Sequence, residues 1–217
     1  MALSAVEYQD LCDLIAAQNR TEVECQAYLS HAACFLTRHP FAVGYNASHL
    51  YEQREHVGTT GRTDYLVCYD IDDQTRRQTR YAYLWEVKAP QCFVFQQDTL
   101  NRLVPTTDLV SAENQLIYYR HELASSQMML DRFNVRAENV RFGGIIIGRK
   151  ETRVRAHALD AHRQEQLFGE ALSLREKYFY QAYDIRLFTW DSLSDWLRPD
   201  HPKRLNEQVT GTTTTPT

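Results

Sequence analysis

The chain has 217 residues, of which 43% are hydrophobic, 24% charged and 12% aromatic, enough for one medium domain with a helical extension. Its mean hydropathy of −0.51 belongs to a folded polar-surfaced chain rather than a disordered one. No apolar run approaches the roughly 18–20 residues that cross a bilayer. Residues 1–14 carry Glu7, Asp10 and Asp13 with no basic flank, so neither a membrane span nor a signal peptide is expected and a cytoplasmic setting follows.

The five cysteines (Cys12, Cys25, Cys34, Cys68, Cys92) are scattered, with no Cys-x-x-Cys pair, which argues against a disulfide framework or a thiolate zinc site. The formal charge is −4, yet 20 of the 24 basic residues are arginine, leaving Lys88, Lys150, Lys177 and Lys203 as the lysines. Arginine's planar fork suits phosphate and carboxylate partners, although an arginine-rich genome produces the same bias. Each lysine is therefore informative, above all one inside an apolar strand.

In chain order, the apolar stripe of Leu3, Val6, Leu11, Leu14 and Ile15 predicts a helix over 2–17. Thr21 and Glu24 have capping-box spacing for a second helix that runs to Leu36 and closes at Pro40. Strands are expected over 50–57, 65–71 and 81–87, a meander with a Gly58–Gly61 turn and a polar connection at 72–80. A long helix over 108–133, a buried strand over 142–148, a helix over 159–183, a strand over 184–189 and a final helix capped by Asp191 follow. The expected class is α/β, a central mixed sheet with helices on both faces. The divisions are a helical lead over 1–19, the domain proper over 20–198, and a polar tail over 199–217.

The chemistry-bearing segment is Glu86-Val87-Lys88. Strand alternation puts Glu86 and Lys88 on one face and Trp85 and Val87 on the other. A carboxylate and an ammonium on so apolar a strand cost several kcal/mol to bury without partners or a metal. If the preceding strand pairs with this one, Asp64 comes to lie beside Glu86. Asp64, Glu86 and the Val87 backbone carbonyl then form a hard-oxygen site suited to magnesium, which accepts few protein ligands. Such a site polarises a phosphoryl oxygen and acidifies a bound water, while Lys88 orients that water or helps deprotonate it and offsets charge in the transition state. The competing reading is a surface Glu–Lys pair on a half-exposed strand of a structural protein; Glu-x-Lys alone is weak, and Asp64 at this spacing makes it moderately specific.

Asp64…Glu86-Val87-Lys88 resembles the PD-(D/E)xK nuclease motif, with Thr63 where that family often has proline. The wider chain, over roughly 20–197, is similar to the nuclease domain of Shedu-type anti-phage defence proteins. The matching blocks are Glu24 to Leu29, Thr63 to Val67, Leu84 to Lys88, Glu113 to Tyr119, Gly144 to Arg149, and Tyr183 to Leu193. The resemblance implies a restriction-endonuclease-like fold, magnesium-dependent DNA cleavage with manganese as a substitute, a defence role and a homo-oligomer. It implies that Gln115 positions water or phosphate near the metal. It also implies that a leading-helix glutamate, Glu22 or by preference Glu24, completes the acidic cluster. Full-length Shedu proteins commonly carry a further N-terminal region, where this chain has a short helical lead. RNA stays open as a substrate, and the alternative is a nuclease-fold binding or assembly module with little catalysis.

Arg62, Arg149, Lys150, Arg153 and Arg155, with Arg76, Arg77 and Arg80, are candidates for DNA phosphate contacts, and each equally suits an exposed loop. His121, His157 and His162 lack zinc spacing. Asp70, Asp72 and Asp73 read as a hairpin tip, and Gly143-Gly144 as a site of close packing rather than a phosphate loop.

Overall fold

Ser4 opens the first helix, α1 (Ala5–Ala16): its hydroxyl accepts from Glu7 N and the Glu7 carboxylate accepts from Ser4 N, so two otherwise orphan donors are satisfied. This computed structural model describes residues 3–37, 43–46, 64–72, 78–156 and 159–201. The expected strand over 50–57, the Gly58–Gly61 turn, Pro40, Arg62, Thr63, Arg76, Arg77 and residues 202–217 of the tail lie outside them.

The helix expected from Thr21 to Leu36 is instead three short pieces: α2 (Glu22–Gln26), a 3-10 turn (Leu29–Ala32) and α3 (Ala33–Thr37). The anticipated capping box does not form. The Thr21 hydroxyl donates back to Leu14 O at 2.9 Å, which ties this segment to α1 rather than capping α2. Strand β1 (Val43–Asn46) pairs antiparallel with β2 (Tyr65–Asp72), and β2 pairs antiparallel with β3 (Gln78–Val87). Strands β1, β2 and β3 thus form an antiparallel meander among the described residues, and β1 is a strand the apolar pattern did not indicate.

Two short strands, β4 (Phe95–Gln97) and β5 (Leu103–Pro105), lead into α4 (Thr107–Ser125), which is capped by the Thr106 hydroxyl. The helix expected over 108–133 breaks at Ser126, whose φ of −101° and ψ of 103° are extended; α5 (Gln127–Phe133) restarts after it. Consecutive serines, Ser125 and Ser126, favour such a break because their hydroxyls compete for backbone groups. Then come β6 (Val140–Ile146), β7 (Val154–Arg155), α6 (Ala161–Arg175) continued by a π-turn (Glu176–Tyr180) into α7 (Gln181–Tyr183), β8 (Arg186–Phe188) and α8 (Trp190–Leu197). Thr189, not Asp191, is the residue preceding α8.

The central sheet has the order β1-β2-β3-β6-β8, with β3, β6 and β8 parallel to one another, so it is mixed. A small second sheet, β5-β4-β7, escaped the sequence reading because its strands are two or three residues long and carry no period. Alternation along the strands builds two cores. Leu66, Leu84 and Ile145 pack with Leu109, Ala112 and Leu116 of α4. Val67, Trp85, Val87 and Ile146 pack on the other face with Leu11, Leu29, Trp190 and Leu193. Each fully buried side chain of this size contributes about 1.5–3 kcal/mol. Gly143 and Gly144 permit the close approach of β6 to its neighbours: a Cβ on Gly143 would lie 2.2 Å from Trp85 Nε1, and one on Gly144 2.0 Å from Arg186 O. No helix among the described residues is long and apolar enough to cross a membrane.

Candidate functional site

The β2–β3 register pairs Tyr65 with Trp85, and one further step brings Asp64 opposite Glu86. Directly opposed residues of an antiparallel pair share a face. Asp64 Oδ2 accepts from Val87 N at 2.9 Å, which fastens the residue ahead of β2 to the end of β3. Glu86 therefore projects with Asp64 toward α4, beneath the core made by Leu84 and Leu116.

Glu86 is 1% exposed. Its Oε1 accepts from Lys88 Nζ at 2.7 Å, and the same ammonium donates to Gln115 Oε1, also at 2.7 Å. Gln115 reaches Lys88 from α4, and its Nε2 donates to Tyr119 OH at 3.4 Å, one turn along. The backbone of Lys88 is pinned on both sides, its N–H to Ile146 O at 2.8 Å and its carbonyl to Trp190 Nε1 at 2.7 Å. The structure thus brings Asp64, Glu86, Val87, Lys88 and Gln115 together at one strand end. Glu86 and Lys88 are not a surface ion pair.

Burial pushes the Glu86 carboxyl up to about 9, with the neighbouring Asp64 charge adding to the rise and Lys88 opposing it. For Lys88, burial works against the charge, but Glu86 outweighs it, with Asp64 and Glu22 adding, so its affinity for the proton is raised. Glu86 Oε2 is buried and receives no hydrogen bond. Its neighbour Asp64 is another acceptor, so the two carboxyls meet only through a shared proton or a cation. That orphaned oxygen, set between hard ligands, fits a divalent ion that keeps most of its waters. Among the described residues no group of three or more His, Cys, Asp or Glu side chains is placed to hold a metal, so the fit rests on two carboxylates and a backbone carbonyl.

The leading-helix glutamates resolve against the sequence preference. Glu24 is exposed, whereas Glu22 is half-buried, and its carboxyl is raised by burial and by the Asp64 charge, with Lys88 opposing. Glu22 is the acid directed at the cluster, because α2 offers one face to the loop after Lys88 and Glu24 lies away from it. Gln91, three residues beyond Lys88, holds that segment: its side chain accepts from Thr21 N at 3.3 Å and donates to Ala17 O at 3.0 Å. Sequence reasoning missed Gln91, Trp190 and Tyr119; only the polar Gln91 close behind Lys88 offered a signal.

The basic candidates divide. Arg149 is 8% exposed and donates to Ile15 O and to Ala17 O, with Glu151 beside it. It is a clamp on the end of α1 rather than a group turned toward phosphate, a correction no charge pattern foretells. Arg153 is bridged by Glu165 at 2.7 Å and Asp191 at 2.6 Å, and stacks over Phe168, so its charge is already compensated. Lys150 and Arg155 are exposed, and Arg80 pairs with Asp70. Glu113, close to Gln115 in sequence, turns away from the site: it is 4% exposed and bonded to Arg175 and to Tyr180 OH.

No family model, curated protein or solved structure matches the chain.

Proposed function

We propose that the chain is a magnesium-dependent DNA endonuclease with a restriction-endonuclease-like fold, of the Shedu type and acting in defence against foreign DNA. The observation that carries this reading is the buried Glu86 carboxyl, its Oε2 unbonded, facing Asp64 across paired strands with Lys88 and Gln115 converging on it. A purely structural sheet has no reason to set a half-buried carboxylate opposite a fully buried one, since burying the latter costs several kcal/mol.

Asp64, Glu86 and the Val87 carbonyl would hold the ion, with Glu22 in reach of its waters. When bound, a magnesium ion polarises a phosphoryl oxygen and acidifies a water. The remaining work falls to the chain. Lys88, kept as an ammonium by Glu86, donates to a scissile-phosphate oxygen or to the attacking water and stabilises the charge that develops; it is an electrostatic catalyst rather than a general base. Gln115 Oε1 holds the Nζ in place, and Tyr119 OH sets the amide's orientation. Trp190 fixes the strand end from which Lys88 projects. A homo-oligomer and a cytoplasmic setting belong to the same reading.

One observation favours a second reading, a nucleic-acid-binding or assembly module with little catalysis: Lys88 is already engaged by Glu86 and Gln115 together. A single assay separates the two. Supercoiled plasmid is incubated with the protein in magnesium, manganese or chelator. The expected result is metal-dependent nicking that Lys88→Ala lowers by 10²–10³-fold at unchanged melting temperature. Cleavage by Lys88→Ala at the wild-type rate overturns the assignment, and DNA binding with no cleavage under any metal favours the module.

A further inference from the structure

Many arginines in this structure close on a carboxylate, as Arg80 does on Asp70 and Arg175 on Glu113. Arg120 and Arg141 have no ion-pair partner among the described residues. Both line a cleft of 710 Å³ formed by α4, the first residues of β6 and the turn after α7. Asp184, the carboxylate that also lines the cleft, pairs with neither.

The cleft is built from ring planes. The Arg120 guanidinium lies 5.1 Å over the Phe142 ring. Tyr183 meets Phe142 edge-on at 6.2 Å and 81°, and Phe179 meets Tyr183 at 6.2 Å and 70°. Tyr183 is 58% exposed, an expensive position for a large ring, and Asp184 turns the chain immediately after it with a φ of 54°. The left-handed residue ends α7 there, a common form of helix C-cap. Exposed aromatic rings and guanidinium planes stack nucleobases, and an uncompensated arginine takes a phosphate through its planar fork. The volume falls within the usual range for small-molecule sites.

We propose that this cleft binds a nucleotide unit, with its base stacked against Tyr183 and the Arg120–Phe142 pair and its phosphate on Arg141. The site is separate from the Glu86–Lys88 cluster. Arg141 stands near the start of β6, whereas Glu86 pairs with Ile145 toward its end, about 13 Å along the strand. The proposal therefore does not depend on the nuclease reading. A free nucleoside monophosphate and a nucleotide within a single strand present the same chemistry, and the test tells them apart.

The test is calorimetric titration of the full chain, without metal, by adenosine 5′-monophosphate, adenosine, inorganic phosphate and a 5′-phosphorylated tetradeoxynucleotide. The monophosphate is expected to bind at least tenfold more tightly than adenosine or phosphate alone. Tyr183→Ala and Arg141→Ala are each expected to weaken it at least tenfold, while Lys88→Ala leaves it within twofold. Binding of the tetranucleotide alone, lost in the same variants, identifies the strand as the source. Should Tyr183→Ala melt early, the exposed Arg141→Glu carries the comparison. Absence of binding by all four probes at millimolar concentration, or binding that survives Arg141→Glu, overturns the proposal.

Discussion

Glu86→Gln separates the energetic argument from any assumption about activity. The Glu86 carboxyl ionises near 9 in the folded chain against an ordinary 4.5, so the folded state keeps a proton that the unfolded state gives up. A group raised in this way contributes stability that is complete below the unfolded value and is lost as pH climbs toward the folded one. At about 1.4 kcal/mol per pH unit, holding that proton at pH 8 costs up to about 5 kcal/mol. Glutamine stays neutral and keeps an acceptor for Lys88, but exchanging the carboxyl hydroxyl for an amide disturbs the buried contact, which returns part of the gain. The expected net effect is that Glu86→Gln is more stable than wild type by about 2 kcal/mol at pH 8 in chelator, with the gap closing toward pH 5. Denaturant titration at several pH values measures it. Magnesium should then stabilise the wild type at pH 8, by about 2.7 kcal/mol at a hundred times its dissociation constant, and leave Glu86→Gln unmoved. If Glu86→Gln is the less stable protein with a gap independent of pH, Glu86 is an ionised structural partner of Lys88 and the reasoning fails.

The remaining predictions concern the residues around that cluster. Glu22→Gln should raise the magnesium concentration needed for half-maximal nicking by about tenfold, while Glu24→Gln leaves it unchanged; equal effects would remove α2 from the site. Arg149→Ala should lower stability by about 2 kcal/mol, because the Ile15 and Ala17 carbonyls lose a charged donor. The same variant should leave the salt dependence of DNA binding unaltered at a temperature where it is folded. A reduced salt slope would return Arg149 to the DNA interface.

A good part of the architecture was readable from local pattern. Alternation in Leu84-Trp85-Glu86-Val87 places two side chains on each face whatever surrounds the strand, and Asp64 one step beyond Tyr65 follows from strand pairing. The mixed sheet with helices on both faces follows from the order of apolar runs, because each run needs a partner layer to bury it. The serine pair that divides α4 from α5 was visible too, but its propensity is weak beside the apolar stripe that continues through it.

What the amino-acid order determined by itself is which side chains share a strand face, since a period of two is a property of the backbone alone. What needed the tertiary structure is every relation between segments remote in sequence. Glu22 and Glu24 are equivalent on a helix until the packing of α2 turns one toward Asp64 and the other toward water. Arg149 and Arg141 bracket one strand with the same charge. The first is consumed by carbonyls more than 130 residues away, and the second lines a cleft with no ion-pair partner among the described residues, because only the folded chain decides which donors find acceptors.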